Sequence, residues 1–244
     1  MRLKAYYNHG PKLEDTYIYY NRPDLQIVGV FDGHGNDFTS KFLAQHFCSV
    51  FLSTPASGTI QERLLQTFQF LEYKLIESNQ EESGSTACVA IITPSFIYIA
   101  NTGDSRCFFI DANYRAIDVT VDHKPTEPTE YKRIVECDEH SLVQFYGVYR
   151  LGGLAVSRTM NDYSIKKTCN SLIFHPDIFK VPQSHVKELI LATDGIFDVL
   201  SNQQVVNALY TKRNATPSKQ VDHLVSLAKK KGSEDDITVL WMAH

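Results

Sequence analysis

The sequence predicts a single domain of the α+β class, in which groups of antiparallel strands alternate with pairs of helices. Three observations carry this reading. Apolar residues recur at helical spacing in two pairs of segments, at 36–52 with 59–79 and at 202–212 with 217–231. Strand-like apolar runs come in groups joined by short turns, as antiparallel neighbours do. The 244 residues contain no internal repeat, low-complexity stretch or linker. A chain of this length buries well over half of its unfolded surface and needs no disulfide or metal merely to fold.

The elements follow in order. Thr16–Tyr20 and Leu25–Val30 are strand-like, and the turn residues Asn21-Arg22-Pro23-Asp24 between them predict an antiparallel hairpin. Just before it, Glu14 and Asp15 are adjacent carboxylates; neighbours on a strand point to opposite faces, so a shared site there needs a turning chain. After Gly35 the period changes. Phe38, Phe42, Leu43, Phe47, Val50 and Phe51 predict a helix over 36–52, capped by Asn36 or Asp37. Residues 53–58 read as a loop, and Leu64, Phe68, Leu71 and Leu75 mark a second helix over 59–79. Strand period returns at 86–92, 96–100 and 106–110, read as a meander that 119–125 closes. A short helix is expected at 127–137, and an irregular, partly mobile region at 138–186. Glu188–Ala192 is an apolar strand ending in Asp194-Gly195. Ser201-Asn202 caps a helix to about 212, and a further helix spans 217–231. The acidic turn at 233–236 enters a last strand.

Composition narrows the function classes. A net charge of −4, with lysines and arginines dispersed, speaks against nucleic acid or an anionic membrane as partner. The one dense basic run, Lys229-Lys230-Lys231, falls where cations favour a helix C-terminus. The cysteines are odd in number, without a CxxC pair, and Cys88 and Cys107 lie in apolar runs, which favours free thiols in a reducing compartment. No apolar stretch approaches the ~20 residues of a membrane span. A soluble, monomeric protein of the cytoplasm is expected, with the nucleus left open as the alternative.

The chemistry gathers at strand ends. The apolar run Ile27–Phe31 leads into Asp32-Gly33-His34-Gly35, a rigid scaffold ending in an open turn. Asp194 ends another strand, Asp235 opens one, and Asp104 and Asp198 lie in similar settings. Packed together without a cation, these acids repel and some are forced to protonate. A divalent metal resolves the conflict, and all-oxygen ligation suits Mg²⁺ or Mn²⁺ rather than zinc. Two ions ~3.5–4 Å apart would activate a bridging water for attack on a phosphoryl group. His34 beside them would protonate the leaving oxygen.

Eight motifs in order resemble those of the metal-dependent protein serine/threonine phosphatases of the PPM (PP2C-type) family. They are Leu13-Glu14-Asp15; Val30-Phe31-Asp32-Gly33-His34-Gly35; Gly84-Ser85-Thr86-Ala87; and Ala100-Asn101-Thr102-Gly103-Asp104-Ser105-Arg106. The others are Asp122-His123-Lys124-Pro125; Gly153-Leu154-Ala155-Val156-Ser157-Arg158; the run from Ala192 to Asn202; and Ser233-Glu234-Asp235-Asp236-Ile237-Thr238-Val239. The resemblance implies a four-layer α-β-β-α sandwich of two antiparallel sheets with helices outside, and a flap within 138–186. It implies that Asp32 bridges two Mg²⁺ or Mn²⁺ ions, that the Gly33 carbonyl binds one, and that Asp194 and Asp235 complete the other. Glu14 and Asp15 would act through water, Asp104 and Asp198 would hold a possible third ion, and His34 would be the general acid. The expected substrate is a phosphorylated protein. The alternatives are a catalytically silent binding module of the same fold and a hydrolase of small phosphate esters.

Three departures stand out. Gly10 occupies the place of the family's phosphate-gripping arginine, leaving Lys12 nearby without a bidentate fork. Restoring arginine at position 10 is expected to lower KM for a phosphopeptide. Asp236 replaces the usual Asn and adds a negative charge. Asn161-Asp162 replaces the usual Gly-Asp, so a different turn is expected there.

Overall fold

Among the described residues the buried apolar side chains sort into three large cores, which define the layers, and a small fourth one around Ile134, Leu151 and Leu172. A computed structural model describes residues 1–55 and 58–243; residues 56 and 57 of the loop expected at 53–58 lie outside the described residues. In chain order, β1 (Arg2–His9) precedes β2 (Thr16–Asn21), β3 (Gln26–Phe31), the short β4 (Gly33–His34), α1 (Phe38–Ser53) and α2 (Ile60–Glu77). Then come β5 (Gly84–Ser85), β6 (Ala87–Ile92), β7 (Phe96–Thr102), β8 (Arg106–Ile110), β9 (Ala116–Asp118) and α3 (Pro128–Asp138). The hairpin β10 (Leu142–Phe145) and β11 (Val148–Leu151) follows, then β12 (Met160–Asn161), α4 (Tyr163–Lys166) and β13 (Asp177–Pro182). The chain ends with β14 (Glu188–Ala192), α5 (Asp194–Phe197), α6 (Asn202–Thr211), α7 (Pro217–Lys230) and β15 (Ile237–Ala243).

One five-stranded antiparallel sheet has the order β1-β15-β14-β8-β9, the other β13-β7-β6-β3-β2. Side chains alternate across each strand. Val28 and Val30 of β3 therefore face Leu189, Leu191, Leu240 and Met242 of the opposite sheet in the middle core. Ile27 and Phe31 face the other way, onto Phe47 of α1 and Phe68 and Leu71 of α2. Phe108, Ile190 and Trp241 pack outward onto Val205, Leu209, Val221 and Leu224 of α6 and α7. The result is the four-layer α-β-β-α sandwich. Each fully buried Val, Leu, Ile or Phe contributes about 1.5–3 kcal/mol. Local signals start the helices: capping boxes at Thr59/Glu62 and Ser201/Gln204, and Pro217 in the first turn of α7.

Four readings are corrected. β8 leaves β7 for the opposite sheet, where it pairs with β14, so residues 86–110 are no meander. Both faces of β8 are covered, and such a strand carries no mark of which sheet it joins. Residues 119–125 are not a strand. β1 was not anticipated; it pairs with β15 from Arg2↔Ala243 to His9↔Ile237 and is only partly buried, which weakens its pattern. Region 138–186 is more regular than expected: it supplies β13, paired with β7 in the second sheet, and the β10–β11 hairpin with Val143, Phe145 and Tyr146 exposed. Among the described residues, no helix is long and apolar enough to cross a membrane.

Candidate active site

The acids meet at one end of the sandwich, where β3 and β14 end, β15 begins and β7 crosses to β8. Asp32 follows the last residue of β3, Asp194 opens α5 after β14, and Asp104 lies in the β7–β8 turn. Their carboxylate oxygens lie within 4.8 Å of one another. Burial, then repulsion from Asp194, Asp15 and Asp104, holds the Asp32 carboxyl well above the usual range. Burial, then Asp104 and Asp198, pushes Asp194 up to about 8. Asp15 rises to about 7, mainly by burial, although Thr193 and Thr238 each donate to its Oδ2 at 2.8 Å. Its Oδ1 is buried with no hydrogen-bond partner. A crowded, all-oxygen donor set with an unsatisfied carboxylate oxygen is what a hard divalent cation would neutralise, so these residues fit Mg²⁺ or Mn²⁺.

The other expected residues are distributed around this group. Glu14 lies at its rim, its pKa raised by burial, with Lys12 opposing and Asp236 adding to the shift. Asp235 is outside the three-carboxylate group and pairs with Lys12 at 2.8 Å. Lys12, expected to meet the phosphate, is thus tied to a carboxylate. Gly33 is buried in β4 opposite Ser85. Asp198 is exposed at the end of α5 but repels Asp194. Asp104, expected with Asp198 at a possible third ion, lies close to Asp32 and Asp194. His34 lies beside the group, its Nε2 at 2.7 Å from Asp162 Oδ2.

Sequence reasoning left Lys124 without a role, although it stands in the Asp122-His123-Lys124-Pro125 motif. Its ammonium contacts Asp104 Oδ2. Burial disfavours the charge, but Asp104, Asp194 and Asp198 more than offset this and raise the pKa above the ordinary lysine value. Lys124 is a built-in cation for the cluster. The motif was the available signal; the contact bridges the β7–β8 turn and the segment after β9.

Two of the departures are one feature. The Asp236 carboxylate sits in a nest of backbone N–H groups: Lys12 donates to Oδ1 at 2.9 Å, and Glu14 and Asp15 to Oδ2 at 2.7 and 3.4 Å. Burial opposes ionisation, but those N–H groups and that of Leu13 prevail and lower the pKa. The extra negative charge is therefore compensated, and the Asp236 side chain occupies the space beside Gly10. A Cβ at Gly10 would lie 2.0 Å from Asp236 Oδ1 and 2.4 Å from its Cα. Arginine at this position has no room, so the expected gain in substrate affinity is replaced by its opposite. Gly10→Arg is expected to cost about 1–3 kcal/mol by overpacking and to raise KM, checked by thermal melting and phosphopeptide kinetics.

At the third departure the backbone is left-handed at two successive residues. Asn161 has φ 61° and Asp162 φ 52°. Asn is among the few residues that enter the left-handed region, so it does the work of a glycine here. Its amide locks the turn by donating to Thr39 Oγ1 and to the Gln80 and Ser83 carbonyls at 2.7–3.1 Å.

Comparison with known proteins agrees with this architecture. The family model described as "Protein phosphatase 2C" matches residues 8–237. "Probable protein phosphatase 2C 17" of Arabidopsis thaliana is 32% identical over 250 residues, covering 98% of this chain and 85% of the relative. "Probable protein phosphatase 2C 7" of Oryza sativa subsp. japonica is 31% identical over 222 residues, covering 88% of this chain. The chain spans only 57% of that relative's length. A crystal structure of a phosphatase from a pathogenic strain of Toxoplasma gondii superposes with a TM-score of 0.83 at 20% identity, covering 98% of this chain and 91% of the other, a likeness of fold. With the strand-end carboxylates in place and nearly the whole chain matched, the protein belongs to the protein phosphatase 2C family.

Proposed function

We propose that the chain is a metal-dependent phosphatase that removes phosphate from serine and threonine residues of proteins. The observation that carries this is the convergence of Asp32, Asp104 and Asp194 within 4.8 Å, with burial and mutual repulsion holding Asp32 and Asp194 well above the usual carboxylate range. Asp32, Asp194 and Asp235, with the Gly33 carbonyl, are assigned to two Mg²⁺ or Mn²⁺ ions, and Glu14 and Asp15 to the water around them. Bound there, the ions would supply an activated water and neutralise charge on the phosphoryl oxygens. His34 holds the proton destined for the leaving seryl or threonyl oxygen. Lys12, at the rim, is assigned to the substrate phosphate, for which it must exchange its pairing with Asp235. A third ion at Asp104 and Asp198 would compete with Lys124 for Asp104. The cysteines are all free, in keeping with a reducing compartment such as the cytoplasm.

The test is an assay of purified protein on a phosphothreonine peptide and on p-nitrophenyl phosphate, with Mn²⁺, with Mg²⁺ and with EDTA. Turnover of both substrates with either metal, abolished by EDTA, is expected. Absence of metal-dependent turnover would leave the silent binding module as the better reading, and activity confined to p-nitrophenyl phosphate would favour small esters.

A further inference from the structure

A three-stranded ribbon of order β12-β5-β4 runs beside the acid cluster and aligns His34, Gly84 and Asn161 in one row. Gly84 has no Cβ, and one added there would lie 2.0 Å from Asp162 Oδ2 and 2.2 Å from His34 Nε2. The imidazole and the carboxylate thus meet over a bare backbone. Asp162 is 2% exposed, and its Oδ2 lies 2.7 Å from His34 Nε2. The same oxygen accepts the Thr159 hydroxyl at 2.8 Å. The backbone that delivers this carboxylate is strained: two successive residues other than glycine are left-handed, at roughly 1–2 kcal/mol each. The Asn161 amide bonds hold the turn, and the Asp162 N–H donates to the Ser83 carbonyl at 3.2 Å. Strain maintained by so many bonds points to a constraint on where the carboxylate must lie.

We propose that Asp162 is the positioning residue of His34. This rests on the assignment of His34 as the proton donor. In the acid form both ring nitrogens carry a proton: Asp162 accepts the one on Nε2 and so sets the ring's orientation, as a carboxylate does behind a catalytic histidine. Nδ1 is then the nitrogen that gives its proton to the substrate. When water adds to phosphorus, the bond from phosphorus to the seryl or threonyl oxygen breaks, and that oxygen keeps the electron pair. It takes the Nδ1 proton to become the free hydroxyl, and a proton from the attacking water returns the ring to its starting state.

General acid help matters most for a poor leaving group. An alkoxide leaving from phosphothreonine needs the proton, whereas nitrophenolate, the anion of an acidic phenol, scarcely does. Asp162→Asn is therefore expected to lower kcat on a phosphothreonine peptide by about 10–100-fold, with a much smaller loss on p-nitrophenyl phosphate. His34→Gln is expected to show the same selective loss, larger in size. Equal losses on both substrates for Asp162→Asn, with a selective loss for His34→Gln, would overturn the positioning role and leave His34 as the acid. No selective loss in either variant would overturn the assignment of His34 itself. Thr159→Val, which removes the second bond to Asp162, repeats the test with a milder change if Asp162→Asn does not fold. A selective loss supports the proposal there, and an equal loss on both esters rejects it.

Discussion

Asp194→Asn is expected to abolish metal-dependent turnover and, at the same time, to make the metal-free protein more stable. The loss follows from its place among the three converging carboxylates. Charge stabilisation by the metal is worth several kcal/mol, or roughly a thousandfold or more in rate. The gain follows from the repulsion in the same group. Burial, Asp104 and Asp198 raise the folded-state pKa of Asp194 from 3.8 to about 8. A carboxyl whose pKa is raised by folding contributes its stability below the unfolded value. That contribution is lost as pH rises through the folded value, from about 4 to about 8. At pH 7.5 the wild-type protein in EDTA has lost most of it, and the neutral amide avoids the loss. A gain of about 1–2 kcal/mol, or roughly 2–8 °C in Tm, is expected. Mn²⁺ should raise the Tm of the wild type by binding the folded state, and raise that of the variant far less. Thermal melting of both proteins in EDTA and in Mn²⁺ checks this. A variant that melts lower in EDTA, or one that Mn²⁺ stabilises as much as the wild type, contradicts the assignment.

The candidate site shows which kinds of information a sequence carries. Asp32 and Asp194 were legible because each ends an apolar run and precedes a glycine, a local mark of a strand leaving the core. Asp104 was legible as an acid at a strand end, but not as a member of the central group. Its position depends on β7 crossing to the opposite sheet, and the burial of β8 on both faces hides that crossing. The four-layer order came from the run of motifs; periodicity supplied only the strands and helices. β1 escaped because it is partly buried, with Tyr6 exposed beside residues of intermediate burial. The coupling of Gly10 to Asp236 and of His34 to Asp162 joins residues far apart in the chain. Each was noticed singly as a departure or a motif, and only the packing shows that they meet.

The other large effect lies in the Ser157-Arg158 motif, which the sequence marked without a role. Arg158→Met is expected to destabilise the protein by about 3–5 kcal/mol, the range for removing one partner of a buried ion pair. Glu130, on α3, is 1% exposed. It accepts from Arg158 Nε and Nη2 at 3.1 and 2.6 Å, from Arg133 Nη2 at 2.8 Å and from Ser157 Oγ at 2.6 Å. Burial pushes its pKa up, but bonds from Arg158, Arg133 and Ser157 prevail and hold it at about 2. Arg158 also reaches the His175 carbonyl at 2.9 Å and Asp177 at 2.8 Å; the latter carboxylate is half exposed and adds less. Without the guanidinium, Glu130 keeps Arg133 and Ser157 but loses its two bonds to Arg158. The expected fall in Tm is roughly 6–20 °C. Glu130→Gln in the same background removes the charge left short of partners and should recover part of it. The pH dependence has a definite sign. A carboxyl whose pKa folding lowers contributes stability above its unfolded value of 4.5, and loses it as pH falls through about 2. Wild type should therefore lose stability in that window, and Arg158→Met should lose less there. A Tm within 2 °C of wild type, read by calorimetry at neutral pH, would contradict the prediction. The network also bears on catalysis, because Arg158 is followed at once by Thr159, whose hydroxyl holds the Asp162 carboxylate against His34. Loosening it should lower kcat on the phosphothreonine peptide more than on p-nitrophenyl phosphate even below the melting transition. A purely structural strut would instead lower both alike.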